Sequence, residues 1–101
     1  MLYTSCKLRK VTAEYNEYGA ETGEKIVETE IPIIRVEKVK MTEFYKANEQ
    51  GYRPELRLVI SVLNYNDEQE VEYGGVIYSI IRTEVGIDEM IIIGERKLKN
   101  A

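Results

Sequence analysis

The Gly74-Gly75 dipeptide constrains the fold of this chain more than any other feature of its sequence. It joins two runs rich in β-branched and aromatic residues, 69–73 and 76–85, and a glycine pair between such runs is a strong signal for a tight β-hairpin. A third apolar run, 89–96, returns after a turn at residues 86–88. The three runs predict an antiparallel protein built from strands, in which Gly74 and Gly75 serve turn geometry and have no chemical role.

The composition argues against an enzyme. The 101 residues include no histidine, so the usual acid–base group at neutral pH and the commonest metal ligand are missing. Cys6 is the single cysteine, and near the start of a strand it is expected to be a small buried side chain. Glu68, Glu70 and Glu72 alternate along a strand as a solvated face does, so they do not single out a catalytic pair. We therefore predict no catalytic residue, no metal and no cofactor.

The length and charge limit the class of protein further. A chain of this size is expected to form one domain, residues 1–101. Its net charge of −4 argues against general binding to a nucleic-acid backbone. The N-terminus has no apolar run of the signal-peptide kind, and no segment is long enough to cross a membrane. The sequence predicts a protein of the cytoplasm without a membrane partner.

The pattern of apolar residues predicts six strands, at 3–12, 25–40, 55–63, 69–73, 76–85 and 89–96. The first strand places Leu2, Cys6 and Leu8 on one face. The polar residues 14–24 are expected to form a loop or a long hairpin connection. The second strand is too long for one regular pleat, and its apolar phase changes beside Pro32, which lacks a donor. A sharp bend is therefore expected at Pro32.

Residues 41–50 have helical spacing, with Thr42 as a candidate cap and Gly51 as a stop. Two turns of helix are not stable alone in water, so this segment either packs on the sheet or becomes ordered only in an assembly. Pro54 then marks the entry to the third strand.

The last two strands are apolar on both faces, which half-buried strands of a simple sheet are not. This predicts a mainly β fold, a small antiparallel six-stranded barrel with one short helix or long loop between strands 2 and 3. Its outer surface would be partly covered by the helix or by a neighbouring subunit. A compact sandwich, with its second face under residues 41–50, is the alternative.

Charges are unevenly distributed along the chain. Basic residues mark the first strand and the tail: Lys7, Arg9, Lys10, Arg96, Lys97 and Lys99. Acidic residues opposed only by Lys25 lie between them: Glu14, Glu17, Glu21, Glu24, Glu28 and Glu30. These are either solvated strand faces or complementary edges on identical subunits, whose head-to-tail contacts close into rings. On the second interpretation the subunit interface comprises Lys7, Arg9, Lys10, Glu14, Tyr15, Glu17 and Tyr18.

The whole chain, from about residue 8 to residue 97, resembles the head-closure (head–tail joining, or stopper) proteins of long-tailed phages and prophages. The ordered spacing of several pieces carries the resemblance, since each piece alone occurs in many β-proteins. In chain order they are Leu8-Arg9-Lys10, Glu17-Tyr18-Gly19, Ile34-Arg35-Val36-Glu37, Glu43-Phe44-Tyr45-Lys46-Ala47, Arg53-Pro54, Leu56-Arg57-Leu58-Val59-Ile60, the hairpin at 72–80 and the closing strand at 90–95.

The resemblance implies a structural virion protein that closes the DNA exit channel after packaging and gives the tail its docking surface. It implies a ring, expected to be dodecameric, of subunits that are monomeric when free. The implied partners are the adaptor below the portal, a tail-completion protein and packaged double-stranded DNA contacted without sequence specificity. The implied locations are the host cytoplasm during assembly and then the head–tail interface of the virion.

In that family the excursion between strands 2 and 3 points toward the channel, and here it maps onto residues 41–53. The resemblance thus assigns a channel or gating role to Phe44, Tyr45, Lys46, Asn48, Glu49 and Gln50. The ordinary interpretation of the same segment is a small covering helix with Phe44 and Tyr45 in the core, and the two interpretations are partly compatible.

Two other functions fit parts of the sequence. A tail-completion or terminator protein shares the virion context and the ring habit. An OB-like nucleic-acid-binding barrel would use Tyr65, Tyr73 and Tyr78 as stacking platforms, although no basic residues are interleaved with them.

Overall fold

A computed structural model of the chain describes residues 3–97, apart from the side chain of Glu43. The predictions for Leu2, on the first strand, and for Lys99, in the basic tail, lie outside the described residues. The elements are β1 (Ser5–Tyr15), β2 (Glu21–Pro32), β3 (Arg35–Glu37), α1 (Met41–Glu49), β4 (Leu56–Ser61), a 3-10 turn (Val62–Asn64), β5 (Glu70–Tyr73), β6 (Val76–Val85) and β7 (Glu89–Arg96).

Within residues 3–97 the strands form a single open antiparallel sheet of seven strands, in the order β2-β1-β5-β6-β7-β4-β3. The mainly β prediction is confirmed, but the closed six-stranded barrel is wrong in both closure and strand number. The alternative sandwich is also wrong, because the described residues contain no second sheet.

The strand number differs because the predicted second strand is two strands. It is interrupted after Pro32, as expected from the missing proline donor, and resumes at Arg35 with a different partner. The two linking residues stay hydrogen-bonded to opposite sides of the sheet: Ile33 N donates to Thr4 O at 2.9 Å, and Ile34 N donates to Val59 O at 2.8 Å. Since β2 and β3 are the two edges of the sheet, this short link requires the sheet to curl strongly.

The curled sheet encloses the hydrophobic core on its concave face. The core side chains alternate along the strands: Cys6, Leu8, Ile31, Leu56, Leu58, Ile60, Val71, Met90 and Ile92. Full burial of a leucine or isoleucine contributes about 1.5–3 kcal/mol, so this cluster dominates the stability of the chain. The expected burial of Cys6 is confirmed, and burial raises the pKa of its thiol to about 11.

The convex face explains the continuous apolar runs. Val59 and Ile93 point away from the core yet are almost completely buried. α1 lies on this side, where Ala47 lines a cleft together with Ile81 and Ile93. The helix therefore provides part of the cover that the apolar pattern predicted.

The predicted boundaries of the helix are close to those observed, but the predicted N-cap residue is wrong. α1 ends before Gly51, whose φ of +86° and whose N–H bond to Asn48 O stop the helix as expected. The N-cap is Lys40, without a side-chain cap, so the assignment of this role to Thr42 is wrong. The helix starts at Met41, as the predicted range does, and this places Thr42 inside its first turn.

The boundaries of the first hairpin also differ from the prediction. β1 and β2 continue pairing through Ala13↔Glu24 and Glu14↔Gly23, so the polar connection predicted at 14–24 shrinks to residues 16–20. Polar strands on a solvated hairpin lack the apolar alternation by which strands are recognised. At the other end of the chain, β6 and β7 have the predicted limits.

The Gly74-Gly75 turn joins β5 and β6 as predicted. Tyr73 pairs with Val76, and the two glycines have φ values of +61° and +81°, which suit a two-residue hairpin turn. A Cβ on Gly74 would lie 2.6 Å from Tyr3 Cε2, whereas one on Gly75 would meet nothing within 4 Å.

Alanine substitutions at the two turn positions should separate backbone strain from crowding. We expect Gly75→Ala to lower the free energy of unfolding by about 1–2 kcal/mol, because a Cβ disfavours the left-handed conformation. Gly74→Ala should cost more, because it also displaces the Tyr3 ring from its edge-to-face contact with Tyr73 at 5.3 Å. Urea unfolding of both variants, measured in the parent chain and in a Tyr3→Ala background, tests this. Equal losses of unfolding free energy for the two substitutions in the parent chain would contradict it.

Candidate assembly interface

A two-stranded arm, defined as residues 10–27, extends beyond the body of the sheet. β1 pairs with β2 along its length but with β5 only at residues 7–9. Every residue of β2 except Ile31 is exposed, and the chain is elongated, measuring 47 × 30 × 27 Å. The arm therefore has solvent on both faces.

Gln69 anchors the root of the arm, which is residues 10 and 11. Its side-chain amide forms the two hydrogen bonds that a neighbouring strand would otherwise form with the backbone. Its side-chain Oε1 accepts from Val11 N at 2.8 Å, and its Nε2 donates to Val11 O at 3.2 Å. Lys10 Nζ donates to Asn66 O at 3.0 Å beside it. These bonds satisfy backbone groups of β1 where its pairing with β5 has stopped, so they set the direction in which the arm leaves the sheet.

Asn16 orders the tip of the arm. Its side-chain Oδ1 accepts from Tyr18 N at 2.9 Å and from Ala20 N at 3.0 Å. Gly19 supplies the left-handed position, with φ +82°. The Tyr18 side chain is 87% exposed on this ordered loop. The tip is thus a preformed structure that presents one aromatic ring.

The arm exposes more apolar surface than a solvated hairpin needs. Val11 lies opposite Ile26, which is 45% exposed, while Val27 and Tyr15 are 47% and 64% exposed. A two-stranded ribbon alone is marginally stable in water, because it has nothing to bury its side chains against. The arm is therefore suited to contact with a partner.

The basic residues at the base of β1 are not at a sheet edge. Lys7 and Arg9 lie between β2 and β5, opposite Glu30 and Glu28 of the same chain. Arg9 Nη1 lies 3.2 Å from Glu28 Oε2. The expected basic edge is therefore interior at these residues, where the charge of Arg9 is matched by Glu28 within the subunit, while Lys7 is exposed and faces Glu30 only in the strand register. A role for Lys7, Arg9 and Lys10 in a subunit interface stays a prediction.

Glu70 completes this charge cluster on β5. Its carboxylate is buried and pairs with Lys97, while its Oε1 lies 3.3 Å from Arg9 Nε in a geometry too poor for a hydrogen bond. The predicted solvated face of alternating glutamates is thus wrong for Glu70, and Glu68 is also buried, with its Oε1 accepting from Asn66 N. A buried carboxylate needs such partners to remain charged.

Acidic residues near the arm tip are left without such partners. Glu14, Glu17, Glu21 and Glu24 are exposed and form no ion pair with any residue in 3–97. Residues 12–26 contain these four glutamates and one lysine, a net charge of −3. The arm beyond its root is an acidic surface.

The proposed gating residues lie on the helix α1, except Gln50, which is its C-cap. Phe44 is half-buried and meets the Tyr45 ring edge-to-face at 6.2 Å, while Tyr45 is 60% exposed. A core position for Tyr45 is therefore wrong, and Phe44 is only partly in contact with the body. The remaining gating candidates are exposed: Lys46, Asn48, Glu49 and Gln50.

The α1 cleft is a feature that the sequence did not reveal. A cavity of about 380 Å³ lies between the helix and β6–β7, lined by Lys46, Ala47, Gln50, Tyr52, Ile81, Arg82 and Ile93. A second cavity of about 190 Å³ shares Lys46 and Arg82 with it and also touches Lys40, Thr42, Arg57 and Glu84. We call the two together the α1 cleft. Its floor is apolar and its rim is mainly basic.

An ion network on the convex face supports the cleft. Arg57 is only 4% exposed; its Nε donates to Glu37 Oε1 at 2.8 Å, and its Nη2 lies 3.6 Å from Glu84 Oε2. Arg35 Nε donates to the other Glu37 oxygen at 2.8 Å. Hydrogen bonds from Arg57 and Arg35 lower the pKa of Glu37. The network keeps a buried guanidinium paired beside α1.

The tyrosines of the OB-like alternative do not form an open platform. Tyr65, Tyr73 and Tyr78 are all half-buried and pack against the core. Among residues 3–97, no group of three or more acidic or cysteine side chains is placed to hold a metal ion. No helix in the described part of the chain is long and apolar enough to span a membrane.

The chain matches no protein-family model and no curated protein. Gln69 and the residues of the α1 cleft carry no local signal by which sequence could have found them, because distant segments bring them together. Asn16 does carry one, since an asparagine three residues before a glycine is typical of such turns.

The Glu37 network predicts a pH dependence of stability. Because the pKa of Glu37 is lowered in the folded chain, its carboxylate stabilises the fold at neutral pH, and this contribution is lost as the pH falls through and below its ordinary value of 4.5. We expect Glu37→Gln to lower the urea midpoint at neutral pH and the difference from the parent chain to narrow near about pH 3.

Glu55→Gln is the matched control, because Glu55 is exposed and forms no ion pair with a described residue. Its urea midpoint should follow the parent chain at both pH values. If the difference in urea midpoint between Glu37→Gln and the parent chain stayed constant from neutral pH to about pH 3, the stabilising role of the Glu37 carboxylate would be contradicted.

Proposed function

We propose that the chain is a subunit of a phage head–tail connector, which closes the DNA exit channel after packaging and gives the tail a docking surface. The order of its motifs, from the basic first strand to the closing β7, supports this assignment by resemblance to head-closure proteins. The mainly β fold with a short helix between β3 and β4 is compatible with it.

One observation carries the proposal: the arm stands clear of the sheet with both faces exposed. A protein that acts alone gains nothing from an ordered, apolar and acidic ribbon that contacts the body only at its root. A subunit of an assembly can bury it against a neighbour, and this would stabilise a ribbon that is marginal by itself. The arm thus favours a structural function over catalysis.

The helix α1 is the proposed gate. It interrupts the path between β3 and β4, and it exposes Tyr45, Asn48 and Glu49 on one short element. A gate that meets DNA has to obstruct it without binding strongly along the phosphates. An element of mixed charge in a chain of net charge −4 meets this requirement better than a basic one would.

The partners follow from this function. They are further copies of the chain in a ring, proposed to be dodecameric, the adaptor below the portal, a tail-completion protein, and double-stranded DNA contacted without sequence specificity. Assembly takes place in the host cytoplasm, and the finished ring lies at the head–tail interface.

Deletion of residues 44–50 tests the gate. We expect the shortened chain to remain folded, because none of these residues belongs to the hydrophobic core cluster, and tailless capsids that carry it to release their packaged DNA. The measurement is nuclease-sensitive DNA from purified capsids, with circular dichroism of the free chain as the check on folding.

Leu63→Ser is the control for that experiment, because Leu63 is 87% exposed and lies outside α1. Capsids with this variant should keep their DNA. Retention of DNA by capsids that contain the folded deletion variant would rule out α1 as the gate.

Association of the free chain is a separate test. Exposed ion pairs contribute little in water, so the isolated chain should be mainly monomeric and should form rings only on the adaptor–portal template. Light scattering of the purified chain measures this. A stable dimer that persists at high salt would count against ring assembly through charged surfaces.

A further inference from the structure

We propose that the arm of one subunit docks in the α1 cleft of a neighbouring copy. The inference rests on the proposed ring in taking the partner to be a second copy of this chain. It goes beyond that function by naming both halves of the contact, which lie on different parts of the subunit.

The first support is charge complementarity. The arm presents Glu14, Glu17, Glu21 and Glu24, none of which has an ion-pair partner within residues 3–97. The rim of the cleft presents Lys40 and Lys46, which are exposed and likewise unpaired within the described residues. Arg82 lies between the two cavities, with its side chain 54% exposed despite a contact to Glu84 at 3.2 Å. The acidic arm and the basic rim attract each other, which orients their encounter.

The second support is shape. Asn16 holds the tip loop in one conformation with the Tyr18 ring extended into solvent. The larger cavity has a floor of Ala47, Ile81 and Ile93 and a volume of about 380 Å³, within the range of pockets that hold small ligands. A tyrosine ring can rest on this floor while its hydroxyl remains near the polar rim. A preformed tip loses little entropy on docking.

The contact is between molecules, because the hydrogen bonds that the arm forms outside its own hairpin go to Asn66 and Gln69 at its root and not to the cleft. The arm leaves from β1 and β2, at one end of the strand order, and Gln69 pins its root. The cleft lies over β6 and β7. When two copies dock, one keeps a free arm and the other keeps a free cleft, so further copies can be added. Repeated head-to-tail contacts of this kind close into a ring if the rotation between neighbouring copies permits.

Docking divides the faces of α1 between two roles. Lys46 and Gln50 line the cleft and would contact the neighbouring arm. Tyr45, Asn48 and Glu49 do not line it and stay available to the channel. A docked arm would thus hold the gate helix from one side, and each subunit would order the gate of the next.

Disulfide trapping tests the contact. The donor variant is Ala20→Cys, at the exposed arm tip, which leaves Tyr18 and the glutamates in place. The acceptor variant is Gln50→Cys, at the C-cap of α1 and on the cleft, and the matched control acceptor is Asn48→Cys, two residues earlier on α1 but outside the cleft. The natural Cys6 is buried, so the parent chain serves as the background.

Donor and acceptor are mixed at high protein concentration and low salt under mild oxidation, and cross-linked dimers are quantified with and without reductant. We expect at least about tenfold more mixed dimer with Gln50→Cys than with Asn48→Cys. Lys46→Glu with Arg82→Glu in the acceptor should abolish the excess, and Glu17→Lys with Glu21→Lys in the donor should restore it.

Equal cross-linking to both acceptors, no cross-linking, or an excess that survives the charge reversal would each overturn the docking. Deletion of residues 44–50 also removes Lys46, Ala47 and Gln50 from the cleft, so the gate is tested apart from the docking by Tyr45→Ala with Glu49→Ala, which change α1 outside the cleft. Release of DNA by capsids with these two substitutions but no specific cross-link keeps the gate and refutes the docking. A specific cross-link with DNA retained by these capsids refutes the gate and keeps the arm–cleft contact.

Discussion

The two-residue link between β2 and β3 is the constraint on which the rest of the structure depends. Pro32 ends one edge strand of the sheet and Arg35 begins the other, so Ile33 and Ile34 have to join opposite edges. The sheet can satisfy this connection only by curling. Curling in turn creates the concave face on which Leu8, Leu58, Val71 and Ile92 come together as a core.

The same constraint leaves the functional candidates on the outside. Once the base of β1–β2 and the strand β3 have closed over the core, the rest of the first hairpin has no sheet to pack on, and it extends as the arm. The chain after β3 has to return to β4, and α1 makes this return across the convex face, where it forms the cleft over Ile81 and Ile93. The arm and the cleft are thus both surfaces that the folded body leaves unfilled.

Local features were predictable because their causes are local. The Gly74-Gly75 turn requires positive φ at both positions, Pro32 cannot donate to a ladder, and Gly51 stops a helix. Each can be recognised within a few residues of sequence. The polar hairpin was underestimated because Glu14 and Glu24 belong to solvated strands, which lack an apolar period. Thr42 is a cap candidate by residue type, but Lys40 is the last residue with extended backbone before the helix and therefore takes the cap position.

The sequence by itself therefore determined that this is an antiparallel β-protein with a glycine hairpin at 74–75, a break at Pro32 and a short helix before Pro54. Turn geometry, missing donors and helical spacing act over a few residues, and this is why they can be read from the chain. Only the tertiary structure decided that the sheet is open, that Arg9 pairs with Glu28 of the same subunit, and that Gln69 roots a free arm. These outcomes depend on which distant strands become neighbours, and the curvature of the sheet selects them.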